Sequence, residues 1–275
     1  MKARGTRFAE RYGPWAVVTG ASEGIGRAFA VELAGKGLNL VLVARRTELL
    51  EALAGELRAA NGIECRVVAA DLSDLEATHR LAAATQDLDV GLLVAAAGFG
   101  SSGPLLAADL RNEIDMVNVN CAAVLAQCWL FGLRFSARGR GGLVLMSSLL
   151  GFHGTPRAAN YAATKAYIQS LAEGLRAEWS PQGVDVIASA PGPINTGFAM
   201  RADMRMTQVL APGVVARETL AALGRRGTIR PGLLSKLLGW SLSTAPRALR
   251  VAIMGRIMGG MTSHQRSAGG CQVGV

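Results

Sequence analysis

Six short apolar runs, at 15–18, 38–43, 66–69, 90–95, 143–146 and 184–188, each give way to a stretch of different periodicity, mostly helical. Strands this apolar are covered on both faces, which is the condition of a parallel sheet. Strict alternation of strand and helix then selects an α/β fold: a doubly wound parallel sheet with right-handed crossovers and helices on both faces. Helices are expected at 27–36, 47–60, 110–135 and 160–179, and a capping box from Ser73 to Glu76 opens a further short one. With 275 residues, 50% of them hydrophobic, the chain can bury one sizeable core, and α/β chains of this length commonly do not split. Residues 1–275 therefore read as a single domain with an N-terminal extension at 1–13. Aromatics are only 5%, so Ala, Val, Leu and Ile must form most of the core.

Such sheets bind ligands at the carboxyl ends of their strands, near the point where strand order reverses. The residues with chemical character fall there. A glycine turn follows the first run, Arg45 the second, Asp71 the third, Gly98 the fourth, Ser148 the fifth and Pro191-Gly192 the sixth. The turn reads Thr19-Gly20-Ala21-Ser22-Glu23-Gly24-Ile25-Gly26 and feeds a helical pattern. A helix N-terminus there presents free N–H groups and the positive end of the dipole, and the missing β-carbons let a pyrophosphate approach the backbone. The spacing is Gly20-x3-Gly24-x-Gly26 rather than G-x-G-x-x-G, but the strand before and the helix after supply the context that the motif requires.

An NAD site usually carries an acid after the second strand. Here Ala44-Arg45-Arg46 occupies that place, and two guanidiniums suit a 2′-phosphate through charge-assisted hydrogen bonds. NADP(H) is expected over NAD(H), although Glu23 argues the other way by placing an anion in the phosphate turn. Asp71, followed by Leu72, either accepts from an adenine amino group or merely begins the next turn.

Tyr161 and Lys165 share a helix face at i, i+4, thirteen residues beyond Ser148. A free tyrosine titrates near ~10, and a neighbouring ammonium is expected to lower that value. Tyr161 would protonate a carbonyl oxygen as hydride reaches the carbon, or deprotonate an alcohol in the reverse sense. Ser148 would hydrogen-bond the same oxygen. Elsewhere a Y-x-x-x-K pair can be an ordinary surface pair; Ser148 and the glycine turn are what give it chemical meaning.

Taken together over about residues 13–200, these motifs resemble the short-chain dehydrogenase/reductase family. The resemblance implies a Rossmann-type fold, with Tyr161 as acid/base, Lys165 as its activator and ribose ligand, and Ser148 as the donor to the substrate oxygen. Ser147 is adjacent, but Ser148 has the family's spacing to the tyrosine. Asn120 matches the residue that supports a proton-relay water, with Asn118 as the alternative alignment. Pro191-Gly192-Pro193-Ile194-Asn195-Thr196 matches the stretch that positions a nicotinamide, the Ile194 backbone and the Thr196 hydroxyl facing its amide. Gly20, Ser22, Gly24, Ile25, Gly26, Ala97 and Gly98 complete the cofactor contacts. One departure stands out: the family's Asn-Asn-Ala-Gly is Ala95-Ala96-Ala97-Gly98 here, which implies altered bracing or weaker cofactor binding. The implied activity is NADPH-dependent reduction of an apolar ketone or 3-oxoacyl-type carbonyl, loosely nearest the ketoacyl and hydroxysteroid reductases. Alcohol oxidation by the reverse route, or cofactor sensing without turnover, are the alternatives. A homodimer or homotetramer is expected.

A substrate lid is expected at 198–222, opposite the loop 149–160, with Phe99, Phe152, Phe198 and Met200 marking an apolar pocket. His153 could line that pocket, but as a loop histidine it is expected to face solvent. Residues 201–275 carry eleven basic residues against Asp203 and Glu218, which accounts for the whole net charge of +9. In that quarter Leu233, Leu234, Leu237, Leu238 and Leu242 form an apolar stripe, and 246–261 mixes Arg247, Arg250 and Arg256 with aliphatic residues and Met. Such segments can lie on a membrane surface, cover the pocket or pack on a partner subunit. Nucleic acid is not expected, for no aromatic-interleaved basic patch is present. No run of the length of a membrane span and no signal peptide is read. Cys65, Cys121, Cys128 and Cys271 lack metal-ligand spacing and suit a reducing, cytoplasmic setting.

Overall fold

The computed structural model describes residues 2–205, 209–233, 235–236 and 246–265. Seven parallel strands form one sheet in the order β3-β2-β1-β4-β5-β6-β7. They are β1 (Trp15–Thr19), β2 (Asn39–Ala44), β3 (Cys65–Ala69), β4 (Val90–Ala95), β5 (Gly141–Met146), β6 (Val184–Ser189) and β7 (Thr228–Ile229). The order reverses between β1 and β4, so a crevice opens at the carboxyl ends of those two strands. β7 has two residues, too few to leave a pattern in the sequence.

The helices are α1 (Lys2–Tyr12), α2 (Gly24–Ala34), α3 (Thr47–Asn61), α4 (Leu75–Ala83), α5 (Leu110–Val117), α6 (Ala123–Arg138), α7 (Ala159–Trp179), α8 (Phe198–Arg201), α9 (Pro212–Ala222) and α10 (Arg247–Met261). Successive strand residues alternate between two cores. Val18 and Val94 pack with Phe29 and Leu33 of α2 and Leu53 of α3. Val17 and Leu93 pack with Phe131 and Phe135 of α6 and Ile168 of α7. Full burial of one such side chain stabilises by about 1.5–3 kcal/mol, so strands used on both faces are mostly apolar along their length.

The structure adds details that the periodicity did not carry. The N-terminal extension is helical over Lys2–Tyr12, where Tyr12 is buried in the core and its hydroxyl donates to Asp185 at 2.7 Å. The expected capping box fails, because Asp74 caps α4 by accepting from the Glu76 N–H, while the Ser73 hydroxyl donates to Asp71. A carboxylate one residue nearer the helix competes better for the open N–H. Between α5 and α6 the chain makes a π turn, Asn118–Ala122, in an otherwise continuous helical run. That run, Leu110–Arg138, is long and apolar enough to cross a membrane by length and composition, with half of its apolar window buried inside the protein.

Candidate active site

The glycine turn puts α2 three residues earlier than periodicity suggests, so Gly24, Ile25 and Gly26 are its first turn. Its N-cap Glu23 makes no side-chain cap bond, which leaves the first N–H groups open. Gly20 has φ +68° and lies against the Ala97 backbone, where a β-carbon would approach to 2.9 Å. At Gly26 an added β-carbon would sit 2.1 Å from the Gly20 carbonyl oxygen, so only glycine lets helix and turn close. The cradle fits a pyrophosphate for these reasons.

Two cavities, of about 220 and 510 Å³, meet along Ile25, Ala96, Gly98, Phe99, Thr196 and Phe198. The larger, polar one is lined by Gly20, Ser22, Gly24 and Gly26 of the turn, by Arg45 and Arg46 after β2, by Asp71 and Leu72 after β3, and by Ala97. Arg46 pairs with Glu23 at 2.9 Å and donates to the Ser22 hydroxyl, so Glu23 partly balances a guanidinium instead of standing as an isolated anion. Arg45 lies 3.8 Å from Asp71. Burial pushes the Asp71 carboxyl up, but the Ser73 N–H and hydroxyl, with Arg45 and Arg201, outweigh it and hold the group below its usual range. Asp71 thus both faces the cavity and begins the turn. A third guanidinium, Arg201 of α8, stacks on Phe99 at 3.9 Å and lines the same cavity. Burial, then the charge of Arg45, lowers its pKa.

The smaller cavity is apolar. Tyr161, Lys165, Ser148, Pro191, Gly192 and Ile194 line it beside the junction. Tyr161 is buried, and burial pushes its hydroxyl up to about 12 although the Ser148 hydroxyl pulls the other way. Lys165 is pushed down to about 8 by burial and donates to the Met146 carbonyl at 2.9 Å. The expected lowering of Tyr161 by Lys165 is therefore not what this environment produces. Both charged forms lose water, and the ammonium spends a hydrogen bond on a backbone oxygen, 5.6 Å from the phenol ring centre. Ser147 is tied to the Lys165 carbonyl at 3.0 Å, leaving Ser148 as the serine beside Tyr161.

Asn120, not Asn118, is the buried asparagine of the π turn. Its side chain is spent on protein: it accepts from the Phe99 N–H and donates to the Phe99 carbonyl and the Thr164 hydroxyl. A β-carbon on Gly98 would lie 2.9 Å from the Asn120 amide oxygen and 3.5 Å from the Lys165 nitrogen, so these three positions converge. Beside Ala95 and Ala96, the Thr19 hydroxyl joins β1 to the end of β4, donating to the Val94 carbonyl and accepting from the Ala97 N–H. After β6, Pro193 and Asn195 bond the Leu210 backbone on either side of Ile194. Thr196 accepts from the Phe198 N–H and touches both cavities.

Residues 14–207 match the family model described as short chain dehydrogenase. The chain belongs to that family. A 7beta-hydroxysteroid dehydrogenase of Clostridium sardiniense is 34% identical over 233 residues, 83% of this chain and 89% of that one. A very-long-chain 3-oxoacyl-CoA reductase of Podospora anserina is 39% identical over 220 residues, 78% of this chain and 64% of the fungal protein. Among solved structures, a 7beta-hydroxysteroid dehydrogenase superposes with a TM-score of 0.84 at 30% identity, covering 90% of this chain and 98% of the other. A short-chain dehydrogenase from Sphingobium yanoikuyae in complex with NADPH gives 0.76 at 28% identity, with coverage of 86% and 98%. This short-chain dehydrogenase is accordingly an oxidoreductase acting on CH–OH or C=O groups.

The substrate side of this short-chain dehydrogenase departs most from expectation. Among the described residues of the expected lid, its start, with Phe198 and Met204, reaches the cavity, whereas α9 packs Val215 and Leu220 into the sheet core. Met200 is 86% exposed, and Phe152 stacks under Arg230 at 4.5 Å instead of lining the cavity. His153, expected in solvent, is 6% exposed in the cavity wall. The roof is α10, which supplies Met254, Ile257, Met258 and Met261. Of the three roles considered for that segment, the described helix covers the pocket. Leu234, Leu237, Leu238 and Leu242 lie outside the described residues.

A polar latch fastens the roof. Arg157, at φ +64°, donates to the Thr262 hydroxyl and to Gln265, and Gln265 donates to Ser102 and Asp203. No periodicity announces these residues, nor Arg201 or the four roof residues. A methionine or isoleucine stripe looks the same in sequence whether it faces a core or a ligand.

Proposed function

We propose that this enzyme is an NADPH-dependent reductase of an apolar ketone or 3-oxoacyl-type carbonyl. One observation carries the reading: the phenol of Tyr161 is buried in the wall of an apolar chamber that opens into the glycine-turn cavity at Gly98 and Thr196. The nicotinamide supplies hydride chemistry when bound. Gly20, Gly24 and Gly26 with the open N–H groups of α2 hold the pyrophosphate, and the Ile194 backbone and Thr196 hydroxyl orient the amide. Arg45 and Arg46 favour a 2′-phosphate, and the likeness to a dehydrogenase that binds NADPH supports this choice.

Within the chamber Tyr161 donates its proton to the carbonyl oxygen, and Ser148 donates a hydrogen bond to that same oxygen as charge develops. A hydroxyl raised to about 12 is held as the phenol, the form that reduction consumes. Lys165 would bind the ribose hydroxyls, and the proton that Tyr161 gives up would be replaced from solvent through water held beside Lys165 and the Asn120 carbonyl. The cavity lined by Phe99, Phe198, Met254 and Met258 takes the apolar body of the substrate, a choice that the hydroxysteroid and acyl-CoA relatives favour. Alcohol oxidation follows the same route in reverse.

NADPH oxidation over a panel of bulky ketones, with Tyr161→Phe as control and KM compared for NADPH and NADH, tests the proposal. Tight cofactor binding without turnover of any carbonyl would favour a sensor. A preference for NADH would defeat the cofactor assignment. We also propose a homo-oligomer: Leu125, Trp129 and Leu133 stand exposed at successive turns of α6, with Tyr167 exposed on α7. A monomeric mass by light scattering would remove that part.

A further inference from the structure

His153 follows the short 3₁₀ turn Leu149–Phe152, at whose head Ser148 sits. Its ring lies in the wall of the substrate cavity with 6% exposure, and neither Nδ1 nor Nε2 has a hydrogen-bond partner among the described residues. The same cavity wall includes Leu150 and, from α10, Met254 and Ile257, while Arg247 and Arg250 of α10 are near enough for their charge to act on the ring. The roof helix presses closely on this loop: Gly255 stands over Pro156, where a β-carbon would come within 3.3 Å. A leucine would fill such a place with nothing left unsatisfied. A buried polar ring with two idle nitrogens is costly, and native proteins keep such groups where something else completes them.

We propose that His153 is a specificity determinant of the reaction: its imidazole hydrogen-bonds a second, uncharged oxygen of the substrate, a hydroxyl or keto group remote from the reacting carbonyl. The inference rests on the reductase reading above and deepens it. Burial, then the charges of Arg250 and Arg247, pushes the imidazole below its ordinary value, so near neutral pH it is uncharged. An uncharged ring offers one donor and one acceptor, which an alcohol oxygen satisfies together and a ketone oxygen in part. A carboxylate would have to shed its water against a largely apolar wall beside a neutral ring, a desolvation cost that Arg250 and Arg247, which do not line the cavity, offset only in part. Tyr161 and Ser148 hold the first oxygen, so His153 fixes which end of an apolar skeleton enters.

The test uses the full-length enzyme, His153→Leu and His153→Gln with three matched bulky ketones: one without further oxygen, one with a remote hydroxyl, one with a remote carboxylate. Wild type is expected to prefer the hydroxyketone over the plain ketone by roughly 10-fold to 100-fold in kcat/KM. His153→Leu erases that preference, mainly through KM, while His153→Gln retains part of it. His153→Leu is also expected to leave Tm unchanged or higher. An equal hydroxyketone preference in wild type and His153→Leu overturns the proposal. So does a preference confined to the carboxylate, or a lowered Tm with unchanged discrimination. Should wild type turn over no ketone at all, the reductase reading fails instead. Calorimetric binding of the hydroxyketone to the NADPH-loaded protein, wild type against His153→Leu, then decides His153, and equal affinity overturns it.

Discussion

The two cavities are built on different principles. The cofactor side is assembled from strand ends and turns, each marked by a residue of telling type: glycine where a β-carbon would collide, arginine at the cavity edge after β2. The substrate side is assembled from pieces far apart in sequence, the 149–153 turn, the 198–204 segment and the C-terminal α10, and is lined mainly by Met, Phe, Leu and Ile. The first tolerates little change because backbone geometry fixes it. The second is adaptable because a flexible thioether fills irregular space and many side chains pack equally well. One fold can thus keep its cofactor while its substrate changes.

The sharpest attempt to break this contrast is Tyr161→Phe, which touches the junction. It is expected to lower kcat for reduction by about 10²–10⁴-fold with NADPH affinity nearly unchanged, because only the proton donor is lost. Retained turnover would deny the phenol its role. Next in size is Arg45→Ala with Arg46→Ala. Losing charge-assisted bonds to a 2′-phosphate should raise KM for NADPH by roughly 10-fold to 100-fold and leave the ranking of ketones intact. A changed ketone ranking would mean that the two sides are not independent.

Met258→Ala makes the opposite cut. Met258 is 1% exposed and roofs the chamber, so its truncation should cost about 2 kcal/mol of stability and shift the ketone preference toward bulkier substrates, with KM for NADPH unmoved. Thermal unfolding and a ketone panel check both parts. Lys165 offers a pH test. Burial lowers its folded value to about 8 against an ordinary 10.5, so the unfolded chain binds more protons between those values and stability rises with pH across that window. Below pH 8 the full cost of burying the ammonium is present. Lys165→Met should therefore gain Tm relative to wild type most at pH 7, the gain shrinking toward pH 10.5; a difference constant with pH would refute this cause. The smallest effect is expected at the latch. Solvent screens the exposed Asp203–His264 pair at 2.9 Å, so Asp203→Asn barely moves Tm but raises KM for the ketone if the latch steadies the roof.

All six apolar runs are strands, within a residue or two, because double burial leaves a continuous apolar signature. The glycine turn, Arg45, Arg46, Ser148, Tyr161 and Lys165 were legible for a related reason: each stands at a fixed offset from a strand or helix, and few residue types serve there. Arg201 was not, and the place of His153 stayed open between pocket wall and solvent, because only α10, almost a hundred positions later, decides it by lying across that loop. The ionisation of Tyr161 was misjudged likewise, since spacing shows that an ammonium is near but not that burial outweighs it.

The sequence alone determined the sheet, the phosphate cradle and the chemical groups at the strand ends, because those are local constraints of backbone space and residue type. Tertiary structure alone decided which apolar residues face a ligand instead of a core, and which polar ones are stranded among them, because burial is a property of the assembled surroundings and has no period along the chain.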